Sequence, residues 1–131
     1  MIALDTSAVV CIALREPEAA AFAEIIATQD CVIGAPTLLE THLVLRSRLS
    51  ANVSVLIEAL LGRPNVELVP FDARHQELAR ISFDRFGKGR GHPAQLNLGD
   101  CMAYAVAKAA GIPLLFKGDD FAATDIEPVR L

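Results

Sequence analysis

An α/β fold on a mainly parallel sheet follows from two patterns in this 131-residue chain. Short aliphatic runs at Ile2-Ala3-Leu4, Cys31-Val32-Ile33, Val66 to Val69 and Leu114-Leu115-Phe116 have the length of buried strands. Longer segments with helix starts and stops separate them. Strands alternating with helices predict parallel pairing, with helices on both faces of the sheet. In such sheets the carboxyl ends of the strands line the ligand crevice.

Each element has a local reason. After the first strand, Thr6 or Ser7 can cap a helix running to about Leu14. Pro17 suits a first helical position, and Ala19 to Thr28 continues as a second helix. Gly34 stops the second strand. Pro36 opens a helix to about Leu49, and Val53 to Leu61 forms another, ended by Gly62 and Pro64. Asp72 caps a helix over Ala73 to Phe86. Gly87 to Pro93 is a loop with three glycines. Asn97 caps a helix to about Ala110, closed by Gly111 and Pro113, and Pro128-Val129-Arg130 is a last short strand. The length suits one domain over residues 1–131, with no linker, repeat or low-complexity tract.

Apolar residues make up 53% of the chain but aromatics only 5%, with no Trp, so small aliphatics fill the core. That composition also leaves apolar faces for an oligomer interface. The formal charge of −4 argues against a general nucleic-acid binder. Between Arg80 and His92, however, Arg80, Arg85, Lys88 and Arg90 oppose Asp84 alone, a local basic face that can hold phosphates. Cys11, Cys31 and Cys101 are scattered and read as buried hydrophobes in a reducing cytosol. The N-terminus has no basic n-region, and no apolar run is long enough to span a bilayer.

The chemistry lies in the acids at element junctions: Asp5, Glu40, Asp100 and the pair Asp119-Asp120. Carboxylates embedded in apolar stretches are unfavourable unless paired, and too few basic residues lie near them in sequence. A hard divalent cation would pair with several at once. Each acid also has a structural reading. Asp5 can be a helix cap, and Glu40 can complement a helix dipole, although Leu43 and Val44 put it beside an apolar face. Asp100 can close a capping box with Asn97, and Asp119-Asp120 can be a solvated turn. His42 and His75 read as helix-surface residues and His92 as part of the basic loop, so no zinc set can be built. Neither a phosphate-binding loop nor a nucleophile elbow is present.

The ordered set resembles the PIN-domain ribonucleases, specifically the VapC-type toxins of bacterial toxin–antitoxin pairs. Its landmarks are Leu4-Asp5-Thr6-Ser7-Ala8, Glu40, Asn97-Leu98-Gly99-Asp100-Cys101, and Leu114 through Phe121. The resemblance implies a three-layer α/β/α sandwich and Mg²⁺ or Mn²⁺ bound by the acids, with Asp5 and Asp100 as metal ligands. It assigns catalytic roles to Asp5, Glu40 and Asp100. Many relatives carry Thr-x-Asp after the last strand, where this chain reads Phe116-Lys117-Gly118. The fourth carboxylate then comes from Asp119 or Asp120, with Asp119 favoured because it is nearer the strand end. The implied partners are an RNA substrate, a second copy of the chain and a small antitoxin that occludes the acidic pocket. Thr6, Lys88, Arg90 and Lys117 are the candidate substrate contacts. Two other classes remain open: an aspartyl phosphatase, which would need a second Asp where Ser7 stands, and a degenerate PIN-fold binding module.

Overall fold

In the computed structural model, which describes residues 1–50 and 52–131, every sheet pairing is parallel. Four strands, β1 (Ile2–Leu4), β2 (Cys31–Gly34), β3 (Val66–Val69) and β4 (Leu114–Leu115), stand in the order β3-β2-β1-β4. Ile2 pairs with Cys31, Ala3 with Leu114, and Cys31 with Val66. Six helices connect them: α1 (Thr6–Ala13), α2 (Ala19–Thr28), α3 (Ala35–Arg48), α4 (Val53–Leu61), α5 (Ala73–Phe86) and α6 (Leu98–Ala110).

Strand alternation divides the core between the two sheet faces. Ala3, Val32 and Leu114 pack with Phe86 of α5 and with Tyr104 and Val106 of α6. Ile2, Leu4, Ile33 and Leu115 pack with Cys11 of α1 and with Phe22 and Ile26 of α2. A smaller cluster joins Val10, Leu45, Val53 and Ile57, holding α3 and α4 to α1. Both faces are therefore covered, which makes the three-layer α/β/α sandwich. Burial of each large aliphatic side chain contributes about 1.5–3 kcal/mol, so removal of Leu4 or Ile33 would open a costly cavity.

Several local expectations shift. Of the cap candidates for α1, Asp5 is the N-cap, and Thr6 and Ser7 are not; the Thr6 hydroxyl is committed to Glu40. Pro17 precedes α2 instead of opening it; the cap is Glu18, and the Ala19 N–H bonds Glu16 across the turn. Gly34 continues β2 and pairs with Val69. Residues 128–130 contribute a single parallel bridge, Leu114 with Pro128, since Pro has no N–H to extend a ladder. His75 is buried, not on the surface. Its Nδ1 accepts the Asp72 N–H at 3.0 Å, completing the capping box of α5. His92 turns back on its own loop, accepting the Ala94 N–H and packing edge-on against Phe86.

The topology sets the site. Asp5 follows β1, the loop holding Asp120 follows β4, and Glu40 lies in α3 directly after β2. The N-terminus of α6 brings Asp100 to the same carboxyl-terminal edge of the sheet.

Candidate active site

A small cleft at this edge is walled by Asp5, Glu40, Asp100 and Asp120, together with Thr6, Ser7, Val10, Val44, Lys117 and Phe121. Roomier hollows elsewhere are lined mainly by apolar side chains and hold no such set of acids.

Asp5 is the most constrained of the four acids and is only 4% exposed. Its Oδ2 accepts from the Ser7 N–H at 3.0 Å and from the Ser7 hydroxyl at 2.6 Å. The Lys117 N–H donates to that same hydroxyl at 2.9 Å, which leaves the Ser7 proton free to point at Asp5. Oδ1 is buried and has no hydrogen-bond partner among the described residues. Burial therefore pushes the Asp5 pKa up to about 6; the Ser7 bonds oppose this, and the Glu40 charge adds to it.

Asp100 is the third residue of α6. Its Oδ2 accepts the Asn97 N–H at 3.1 Å, and the Asn97 side chain accepts the Asp100 N–H at 2.9 Å. The capping box expected at this position exists, and the same residue also faces the cleft. Burial raises its pKa to about 7, against the Asn97 bond and with help from the charges of Asp5, Asp120 and Glu40.

Glu40 is held by Thr6, whose hydroxyl donates to its Oε1 at 2.6 Å. Thr41 braces Thr6 from behind, its Oγ1 lying 2.8 Å from the Thr37 carbonyl and 3.2 Å from the Thr6 Oγ1. Thr37 and Thr41, unlike Thr6, carry no mark in the sequence beyond lying beside Glu40 as a polar stripe on α3.

The last acid on the wall is Asp120 rather than Asp119. Gly118 takes a left-handed φ of 97°, and in the turn that follows both aspartates are exposed but Asp120 lines the cleft and Asp119 does not. Lys117 is the one basic residue on the wall, but its Nζ bonds Glu16 at 2.8 Å and Glu18 at 3.2 Å. Lys88 and Arg90 are exposed and do not line the cleft. Their loop is anchored at its base, where Lys88 N–H bonds Leu96 and Leu96 N–H bonds Phe86.

Among the described residues, no three His, Cys, Asp or Glu side chains are gathered tightly enough to cage an ion. The fit to a hard divalent cation rests on other features. A buried Asp5 oxygen lacks any donor, and two acids are driven toward neutrality by burial and by each other. An all-oxygen set suits Mg²⁺ or Mn²⁺.

The chain matches the PIN domain over residues 2–127. It is 41% identical over 128 residues to Ribonuclease VapC of Mycolicibacterium smegmatis, covering 97% of this chain and 98% of the relative. It is 38% identical over 125 residues to Ribonuclease VapC28 of Mycobacterium tuberculosis, covering 95% and 94%. Among solved structures, VapC20 of Mycobacterium tuberculosis, a sarcin–ricin-loop-cleaving toxin, superposes with a TM-score of 0.80 at 20% identity over the full length of both chains. A toxin–antitoxin complex from Klebsiella pneumoniae gives 0.72 at 16% identity, again over both full chains. The chain belongs to the PIN-domain family, in its VapC ribonuclease branch.

Proposed function

We propose that this protein is a Mg²⁺- or Mn²⁺-dependent endoribonuclease and the toxin of a VapBC-type pair. The observation carrying this reading is the unpartnered, buried Asp5 Oδ1 in a cleft shared with Glu40, Asp100 and Asp120. Asp5 and Asp100 hold the cation, which when bound polarises a phosphoryl oxygen and eases deprotonation of water. Glu40, oriented by Thr6, accepts a proton from the attacking water or orients it. Asp120 takes the role first given to Asp119, because it is the acid on the wall after β4. Ser7 keeps Asp5 in one rotamer and commits only Oδ2, so Oδ1 stays available. Lys88 and Arg90 meet the RNA backbone outside the cleft. Lys117 serves the site chiefly through its backbone N–H, since its ammonium is held by Glu16 and Glu18.

Apolar side chains exposed near the cleft, Leu39, Leu43 and Leu98, give a surface for a second copy. The solved toxin–antitoxin complex from Klebsiella pneumoniae motivates the same class of protein partner here. Among the described residues no helix is long and apolar enough to cross a membrane.

The direct test is cleavage of an RNA panel by purified protein with Mn²⁺, Mg²⁺ or EDTA. Cleavage should need the metal and should fall about a hundredfold or more in Asp100→Asn, which removes an anionic ligand at nearly constant shape. Metal-independent cleavage, or full activity in folded Asp100→Asn, would contradict the assignment.

A further inference from the structure

We propose that Gly99 is a positioning residue whose missing side chain is the space that keeps the Glu40 carboxylate in the acidic cleft. Its consequence for catalysis rests on the ribonuclease reading; the packing itself does not.

Gly99 is the second residue of α6, just after Leu98, within a helix capped by Asn97. It is not one of the positive-φ glycines, so its backbone does not require glycine. Helix propensity alone favours Ala at such a position. The neighbouring atoms explain the choice. A Cβ built on Gly99 would overlap the Glu40 carboxylate, standing 2.5 Å from its Cδ. The carboxylate is the mobile end of its side chain, but its Oε1 is tied to Thr6 at 2.6 Å and Thr6 is backed by Thr41, so moving aside breaks that bond. One added methyl therefore either breaks the Thr6–Glu40 bond or lifts the N-terminus of α6, which carries Asp100. Both changes separate carboxylates that share the cleft wall.

The experiment compares the natural chain with Gly99→Ala, Glu40→Ala and the double variant, measuring Tm, kcat and KM. Alone, Gly99→Ala should lower Tm by roughly 4 °C and kcat by about tenfold or more, with KM nearly unchanged. In the Glu40→Ala background the same substitution should raise Tm, because the obstructing carboxylate is gone and Ala is the better helix former. It should also cause no further loss of kcat. A Gly99→Ala protein that fails to fold but is rescued by Glu40→Ala gives the same answer. Tm changes of the same sign and size in both backgrounds, misfolding in both, or full kcat in Gly99→Ala would overturn the proposal. If the natural chain cleaves no RNA, the ribonuclease reading falls, while the reversal of the Tm effect still decides whether Gly99 accommodates Glu40.

Discussion

Asp125 and Asp5 are both bonded by a hydroxyl, yet their electrostatic surroundings are opposite. Asp125 accepts from the Tyr104 hydroxyl at 2.7 Å and pairs with Lys108 at 2.9 Å and Arg85 at 3.4 Å. Partial burial works against its charge, but the Tyr104 and Lys108 bonds outweigh this and hold its pKa below the usual carboxylate range. Among the described residues Asp5 has Ser7 donors and no cation bonded to it, and its neighbours on the cleft wall include three more acids. An acid that serves the fold is given counter-charges by the chain. The acid of the cleft is desolvated and left without one, an arrangement that favours an external cation.

The largest test of this contrast exchanges charge for shape at each place. Asp5→Asn should cut RNA cleavage about a hundredfold or more. It should leave stability at pH 7.5 unchanged or raise it by on the order of 2 kcal/mol, because an unfavourable buried charge disappears. Asp125→Asn should keep activity and lose about 1 kcal/mol, mainly from the Tyr104 bond, since its ion pairs are solvent-screened. Denaturant unfolding and cleavage assays on both variants check this. A stability loss in Asp5→Asn larger than that in Asp125→Asn would erase the distinction.

The same contrast predicts opposite pH responses. Asp5 and Asp100 have folded pKa values raised from 3.8 to about 6 and about 7. Between those limits the folded state binds more protons than the unfolded one. Their contribution therefore falls as pH rises from about 4 to above 7, by on the order of 3 kcal/mol for Asp5 and at most about 4 kcal/mol for Asp100. Asp125, with a lowered pKa, contributes stability above the unfolded value and loses it as pH falls through the folded one. Unfolding in EDTA should show the decline toward neutral pH, and Mn²⁺ should flatten it. A flat EDTA profile that Asp5→Asn and Asp100→Asn leave unaltered would remove the electrostatic basis of the site.

A smaller effect separates the two acids after β4. Asp120→Asn should reduce kcat several-fold, while Asp119→Asn should stay within about twofold of the natural chain. The reverse order of cleavage rates would return the role to Asp119. Smallest of all, Lys88→Ala with Arg90→Ala should weaken RNA binding modestly and flatten its salt dependence, without touching Mn²⁺ affinity. Identical salt slopes would make the loop a solvated connection only.

Periodicity and punctuation locate the helices where caps and helix-ending residues are local. Val53 to Leu61 and Ala73 to Phe86 begin and end where their caps and glycines suggested. Asp5, Glu40 and Asp100 are conspicuous as charges at element junctions, and all three line one cleft. The turn after β4 was harder, since the left-handed Gly118 decides which of two adjacent aspartates meets the cleft. No sequence pattern marks that φ value. His75 was misplaced because a helix-start histidine can fold back onto its own cap, a tertiary detail invisible to a polarity scale. Gly99 stands in the Asn97 to Cys101 landmark, but its contact with Glu40, 59 positions away, is tertiary and leaves no local pattern.

The central claim is that Asp5 and Asp100 jointly hold a divalent cation. Crystals soaked in Mn²⁺ and measured for anomalous scattering test it most directly. One strong peak should lie within coordination distance of Asp5 Oδ1 and an Asp100 oxygen, and be absent in crystals of Asp100→Asn. A peak remote from both residues, or none at saturating Mn²⁺ in a crystal whose cleft is open to solvent, would contradict it.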